Sequence, residues 1–295
     1  MVIRNVKGDT YIIDTGFQLI PFYRLGDGRI IMVDCGLLVE REGIVNILAS
    51  AELKPAAVLS THAHTDHIEN AAFFQREYGA SIIMTEAEAA VLASPSSLKT
   101  YFYTMAVSDI MKYFGNMMVQ ADVKIGMHDE HVDILGARFR IISTPGHSPG
   151  HISVITPDNV ACLGDALASC DVLESSKMMY SHTISKDIES KRSLLSLEAD
   201  RYIISHNGVF DEIKSLIQPN INYLEDSASE ILNLIESPVG FEELFDKVIR
   251  HHGSRIRDLK KYNMMEKMSR SLLDYLIDTG RLRCSVIEGN LYYVK

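Results

Sequence analysis

Residues 62–67 read HAHTDH, three imidazoles and a carboxylate within six positions, in the stretch STHAHTDHIEN that directly follows the apolar run AAVL. His62 and His64 are two apart, so on an extended backbone they point the same way and can grip one ion. Asp66 and His67 follow where the chain is expected to turn into a helix, IENAAFF, and the change of direction lets them face a second ion a few ångströms away. Imidazole and carboxylate donors together suit zinc, and also iron or manganese. Three further segments share the same logic as AVLSTHAH (57–64): RFRIISTPGH (138–147), NVACLGD (159–165) and RYIISH (201–206) are each a short apolar run that ends in His or Asp. The expectation is that four buried strands, neighbours in a sheet, deliver these groups to one crevice at their carboxyl ends.

The elements needed to position such a cluster are legible along the chain. TYIIDTG, FQLIPFYRLGDG and RIIMVDCG read as successive antiparallel strands, with a tight turn at Gly26–Gly28. Helical and strand patterns then alternate through GIVNILASAEL, AAVLST, IENAAFFQREYG, ASIIMT and EAEAAVLAS, an α/β arrangement. Residues 97–123 are helix-prone and rich in Met, Tyr and Phe, which fits core packing, a subunit contact or a lid. From Asn222 the pattern becomes three helices followed by a strand–turn–strand, RLRCSVIEGNLYYV, a winged-helix-like outline. A chain of 295 residues holds one large core plus a small appendage. The expected division is therefore 1–221 and 222–295.

Composition narrows the class. With 46% hydrophobic and 23% charged residues the chain is of ordinary globular type, not disordered. No apolar run approaches the ~18 residues of a membrane helix, and the N-terminus has no signal-peptide layout. Cys35, Cys162, Cys170 and Cys284 are scattered without a CxxC pair, which favours reduced thiols and a cytoplasmic location. A net charge of −10 argues against a nucleic-acid surface spread over the whole molecule. The tail has a basic cluster, Arg250, Arg255, Arg257, Lys260 and Lys261, but Glu242, Glu243, Asp246, Asp258 and Glu266 are interspersed, the pattern of a solvated face. Packing, lid support or homodimer contact is the favoured role of this tail, ahead of nucleic-acid reading.

Taken in order, VDCG (33–36), HAHTDH (62–67), TPGHSPGH (144–151), LGD (163–165) and SHN (205–207) resemble the motif series of the metallo-β-lactamase superfamily over roughly the first 210 residues. The resemblance implies a four-layer αββα sandwich. By the same similarity His62, His64 and His147 hold one divalent ion, Asp66, His67 and His206 hold a second, and Asp165 bridges them. Zinc is the expected metal at both positions, with iron or manganese as alternatives. Asp34 is expected to accept a hydrogen bond that orients the metal loop, and His151 to support its own loop without ligating. His128, His131, His251 and His252 lie outside the motifs and read as solvated.

The implied chemistry is hydrolysis by a hydroxide that two cations make available near neutral pH, with Asp66 orienting it. GHSPG is not a serine-hydrolase elbow, because His and Pro flank its serine. His64 stands where flavodiiron oxidases carry a carboxylate, which disfavours a di-iron oxidase. The pattern resembles glyoxalase II-like thioesterases most, so a small-molecule thioester or lactone is the expected substrate. Two departures stand out. After Asp165 the chain offers Lys177, Tyr180 and His182 as candidate substrate contacts where glyoxalase II enzymes have a fuller basic and aromatic set. Glu69 replaces a usual glycine, altering the pocket floor or capping a helix. The alternatives are an endoribonuclease or phosphodiesterase of the same superfamily and a persulfide dioxygenase with one iron on the first trio.

Overall fold

The computed structural model describes residues 1–206 and 208–295; Asn207, the last residue of the SHN motif, lies outside the described residues. A meander opens the chain: β1 (Val2–Lys7), β2 (Thr10–Asp14), β3 (Leu19–Arg24) and β4 (Arg29–Val33) pair antiparallel in succession. Gly28 closes the β3–β4 turn at φ 82°, a conformation that favours glycine. Helix α1 (Arg41–Ser50) then crosses to β5 (Lys54–Leu59), which runs parallel to β4. The short α2 (Thr65–Ile68) and α3 (Ala71–Tyr78) lead to β6 (Ser81–Thr85). Thr85 caps α4 (Glu86–Leu92) by accepting from the Glu88 N–H, and Ser94 caps α5 (Pro95–Tyr101) by accepting from Ser97 N. After α6 (Val107–Phe114), β7 (Val123–Ile125) completes a seven-stranded sheet in the order β1 to β7.

The second sheet begins with β8 (His131–Ile134), β9 (Ala137–Ser143), β10 (Ile152–Ile155) and β11 (Val160–Cys162). Helices α7 (Cys170–Ser175) and α8 (Ile184–Ser193) precede β12 (Arg201–Ile204), parallel to β11, and β13 (Gly208–Phe210). Its strand order is β13-β12-β11-β10-β9-β8.

Alternation within the strands builds the layers. Ile31, Val33, Leu59 and Ile83 point to one side of the first sheet and pack with Phe139, Val154, Val160 and Ile203 of the second, forming the core between the sheets. Phe139 meets Tyr23 edge-on across this gap, with ring centroids 5.9 Å apart. Their sequence neighbours Ile30, Met32, Val58 and Ile82 point the other way, against apolar residues of α1, α3, α4, α5 and α6. The outer face of the second sheet, including Ala161, Tyr202 and Ile204, is covered by α8 and by helices of the tail. The result is the αββα sandwich that the sequence implied. One expectation is corrected: the strands that carry the candidate ligands are not neighbours in one sheet. β5 belongs to the first sheet and β9, β11 and β12 to the second, with β10 between β9 and β11.

The tail consists of α9 (Lys214–Asn233), α10 (Phe241–His251), α11 (Leu259–Asp278) and the hairpin β14 (Arg283–Ile287) and β15 (Asn290–Val294). Position 221/222, the division expected from the sequence, falls inside α9. The reason is a continuous apolar stripe, Leu216, Ile217, Ile221, Leu224, Ala228 and Ile231, at helical spacing. It puts sandwich and tail residues into one hydrophobic cluster. Within 97–123, Leu98, Ile110, Phe114 and Met117 are buried in the core beneath the first sheet. None of the described helices is long and apolar enough to cross a membrane.

Candidate metal centre

β5 ends at Leu59, and the loop after it carries His62 and His64 to the gap between the two sheets. The pair is held from beneath. Asp34, at φ 64° just after β4, accepts from the Thr61 N–H (2.7 Å), the Thr61 hydroxyl (2.8 Å) and His67 Nδ1 (2.8 Å). That last bond turns His67 Nε2 inward. His147 arrives on the loop between β9 and β10, where Gly146 has φ 130° and a Cβ would lie 2.1 Å from the Asp187 nitrogen. Asp165 follows β11 and His206 follows β12. Glu88 joins the first two loops: it accepts from Ala63 N (2.9 Å), Ser148 Oγ (2.6 Å) and Gly150 N (2.6 Å).

The seven predicted ligands converge in two groups that share Asp165. His62, His64, His147 and Asp165 form one; Asp66, His67, His206 and Asp165 form the other, and in each the donor atoms lie within 4.8 Å of one another. His64 Nδ1 is 3.0 Å from His62 Nε2 and 2.9 Å from His147 Nε2. Asp165 Oδ2 faces this trio, 3.3 Å from His147 Nε2 and 3.9 Å from His62 Nε2. Its Oδ1 faces the second set, 3.4 Å from His67 Nε2 and 3.7 Å from His206 Nε2. Asp66 Oδ2 completes that set at 3.2 Å from His206 Nε2. A tetrahedron of ~2.1 Å bonds has edges of roughly 3.4 Å, so both groups are of a size to close on a cation.

The electrostatics fit the same occupant. Burial first, then crowding by neighbouring rings, pushes the His62 and His64 pKa values well below the usual imidazole range, so their lone pairs are free. At His67 burial works the other way, but the carboxylates of Asp165, Asp66 and Asp34 outweigh it and hold the ring protonated in the absence of any other cation. Burial would raise Asp165, yet His67 and His206 hold it well below the ordinary carboxylate value. Two atoms mark the centre: among the described residues His67 Nε2 and Asp165 Oδ1 are buried with no hydrogen-bond partner. With nitrogen and carboxylate donors gathered around a common point, the cluster could hold metal ions.

Residues 20–206 match the family model described as the metallo-beta-lactamase superfamily. The chain belongs to this superfamily. Its relatives include a hydroxyacylglutathione hydrolase of Glaesserella parasuis, 24% identical over 158 residues that cover 52% of this chain and 55% of that one. Another, from Wigglesworthia glossinidia brevipalpis, is 29% identical over 160 residues, 52% of this chain and 50% of that one. The chain thus spans about half the length of the curated relatives it matches. Among solved structures, a metallo-beta-lactamase family protein from Thermus thermophilus superposes with a TM-score of 0.71 at 19% identity, over 94% of this chain and 93% of the other. A beta-lactamase domain protein from Burkholderia ambifaria gives 0.69 at 18%, over 99% and 93%. These two likenesses concern the fold, and they include the tail as well as the superfamily sandwich.

The other sequence candidates fall in different places. His151 is buried beside the cluster; its Nδ1 pairs with Thr144 Oγ1 (2.9 Å) and its Nε2 accepts from Asp165 N (3.1 Å), so both nitrogens are engaged with the loops. Tyr180 lines the cavity above the metal centre, about 330 Å³ in volume, together with His64, Asp66, His147 and Asp165. His182 is exposed and lines a neighbouring cavity. Lys177 lines neither: its Nζ donates to the Gly253 carbonyl at the surface. Glu69 does not reach the pocket floor, because its carboxylate accepts from the Leu38 N–H 2.8 Å away. His128, His131 and His251 are exposed, and His252 is half-buried away from the cluster.

Three cavity and loop residues had no sequence motif to mark them. Glu88 sits in an ordinary-looking helix start. Tyr101, from α5, reaches its hydroxyl to within 3.2 Å of His64 Nε2 and 2.9 Å of the Tyr180 hydroxyl. Lys267, from α11, lines the same cavity 87 residues after Tyr180. The aromatic bias of 97–123 was the one available signal, and it pointed to Tyr101 only as part of a stripe.

Proposed function

We propose that the chain is a metal-dependent hydrolase that uses two divalent cations, zinc at both positions, on a small thioester or lactone. The observation that carries this reading is Asp165, whose two oxygens each face a separate set of donors. Two bound cations would supply a water acidified toward neutral pH and a Lewis-acid contact for the substrate's carbonyl oxygen. Asp66 Oδ2 points into the same space, where it accepts a hydrogen bond from the attacking water and aims it at the carbonyl carbon. As the C–O bond forms and the C–S or ring C–O bond breaks, Asp66 carries the proton released toward the leaving thiolate or alkoxide. Tyr180, half-buried and with its phenol pushed up to about 12 by desolvation, keeps its proton and donates to the oxygen that gains charge.

Phe102, Phe114, Met117, Met178 and Met264 wall the cavity, which at about 330 Å³ takes a small acyl group. The relatives named hydroxyacylglutathione hydrolase, thioesterases by that name, support the substrate class. The segment 222–295 acts in this reading as a module that supports the cavity wall, and the free thiols of all four cysteines agree with a reducing, cytoplasmic setting. A winged-helix comparison of the tail, and a homodimer, belong to the same proposal.

The nuclease alternative rests on the basic residues of the tail. Arg250 is paired with Asp246, and of that cluster Lys260 alone lines the cavity. A mononuclear-iron oxygenase needs the first trio and leaves Asp66, His67 and His206 without a task. The deciding experiment assays thioesters, lactones, phosphodiesters and RNA on metal-reconstituted protein, with Asp165→Ala as the control. Turnover of a thioester or lactone that Asp165→Ala abolishes supports the proposal. RNA cleavage with salt-sensitive binding, or oxygen uptake with persulfide at one iron per chain, would replace it.

A further inference from the structure

One cation among the described residues is caged by rings instead of acids. The Nζ of Lys267 is shielded from solvent, and among the described residues it has no hydrogen-bond partner and no carboxylate within ion-pairing distance. What surrounds it is aromatic: Nζ stands 3.4 Å from the ring centre of Tyr101, 4.7 Å from that of Phe102 and 5.4 Å from that of Tyr180. The adjacent acid, Glu266, is already bound to Arg270 at 2.9 Å. An ammonium has three donors, and ring faces attract its charge without accepting hydrogen bonds as an oxygen does.

Its place in the fold gives this isolation a meaning. Lys267, Tyr101 and Tyr180 form a wall between two cavities. On one side is the space of about 330 Å³ that holds His64, Asp66, His147 and Asp165; on the other is a larger one of about 800 Å³, open along α5 and α11. A cation in the wall of both stands between the space a molecule would enter and the space that would hold its reacting bond, and a shift of one surrounding ring would bring it into contact.

We propose that Lys267 recognises an anionic oxygen group, a carboxylate or a phosphate, carried by the substrate. The inference rests on the hydrolase reading and narrows it: the substrate is a thioester or lactone that bears a negative charge. An anionic oxygen supplies what the site lacks, an acceptor for the N–H groups and a counter-charge in a place where burial has lowered the lysine's pKa to about 7. Lys260, the other lysine of the cavity, is exposed and lies 5.5 Å from the Phe114 ring centre, so it does not duplicate this position.

The test measures binding of benzoate, phenyl phosphate and neutral benzamide to the metal-loaded enzyme by calorimetry, in the wild type and in Lys267→Met and Lys267→Arg. Benzoate or phenyl phosphate should weaken at least about tenfold in Lys267→Met and within a few-fold in Lys267→Arg, while benzamide is indifferent to both. Anions held by the metals alone would bind Lys267→Met as well as the wild type, and that result overturns the proposal. The relative loss of the two anions tells carboxylate from phosphate. Should Lys267→Met fail to fold, lysine-selective NMR of the wild type replaces it: the lysine signal that titrates near neutrality should move with benzoate and not with benzamide, and an unmoved signal overturns the proposal. A failed hydrolase reading shows separately, as no turnover of any thioester or lactone while the anions still bind at Lys267.

Discussion

The Tyr101 hydroxyl lies 3.2 Å from His64 Nε2, the nitrogen that faces away from the metal centre, while Nδ1 of the same ring faces His62 and His147. A helix of the segment 97–123 thus holds a candidate ligand in place. The hydroxyl continues to Tyr180 at 2.9 Å, so ligand, helix and cavity wall form one chain of contacts. Partners of this kind fix ring orientation, and their loss weakens metal binding by about 10- to 100-fold. Tyr101→Phe should therefore lower metal affinity about tenfold in a chelator competition, with the fold unchanged by circular dichroism. Unaltered affinity would show that the contact is packing only.

Metal removal should cost both stability and activity. Among the described residues His67 Nε2 and Asp165 Oδ1 have no hydrogen-bond partner, and a ligand that binds only the native state stabilises it by mass action, about 2.7 kcal/mol per site at roughly a hundred times Kd. Exhaustive chelation is expected to lower the melting temperature and abolish hydrolysis, and zinc to restore both. Elemental analysis should find up to two ions per chain, fewer in Asp165→Ala. Full activity in the chelated protein would end the metal reading.

Asp34 offers a test of the support beneath the ligands. Its backbone is left-handed, which Asn tolerates about as well as Asp, so Asp34→Asn keeps the turn. The amide nitrogen, however, must then face either the Thr61 N–H or both the Thr61 O–H and the His67 Nδ1–H. A buried donor left unmatched costs about 1–3 kcal/mol. The expected outcome is a denaturation midpoint lowered accordingly and weaker metal binding. A midpoint equal to the wild type would mean that the carboxylate is dispensable.

Lys267 carries a pH signature. Burial lowers its pKa from the ordinary 10.5 to about 7 in the folded chain. Between those values the unfolded chain binds more protons, so the residue's contribution to stability rises with pH there, and below about 7 its burden is complete. Lys267→Met should raise the melting temperature most below neutrality, with the gain shrinking as the pH climbs toward 10.5. A gain that does not vary with pH would contradict the buried, uncompensated ammonium.

Much of the site was readable before any fold was in hand. HAHTDH, TPGHSPGH, LGD and SH at 205–206 are local strings, and each string follows the end of a strand, because strand alternation and loop glycines are local physics. All seven expected ligands meet in the structure. The partition of their strands between two sheets was not readable, since neighbours in sequence logic need not be neighbours in hydrogen bonding. Glu69 shows the same limit at the scale of one side chain: its target, the Leu38 N–H, lies 31 residues away.

By itself the sequence determined the candidate donors and their order, because metal-binding groups must be of fixed type and here follow apolar strands, and its resemblance to the superfamily implied the sandwich. Only the tertiary structure decided what surrounds them. Glu88, Tyr101 and Lys267 come from helices with no motif, and each acquires its role through a contact with a distant segment. Glu88 ties its own helix to a loop 60 residues further on, and Lys267 reaches a ring on α5 from the last helix. Such contacts follow from the packing of whole layers, in which burial selects the partner and the local sequence carries no mark of it.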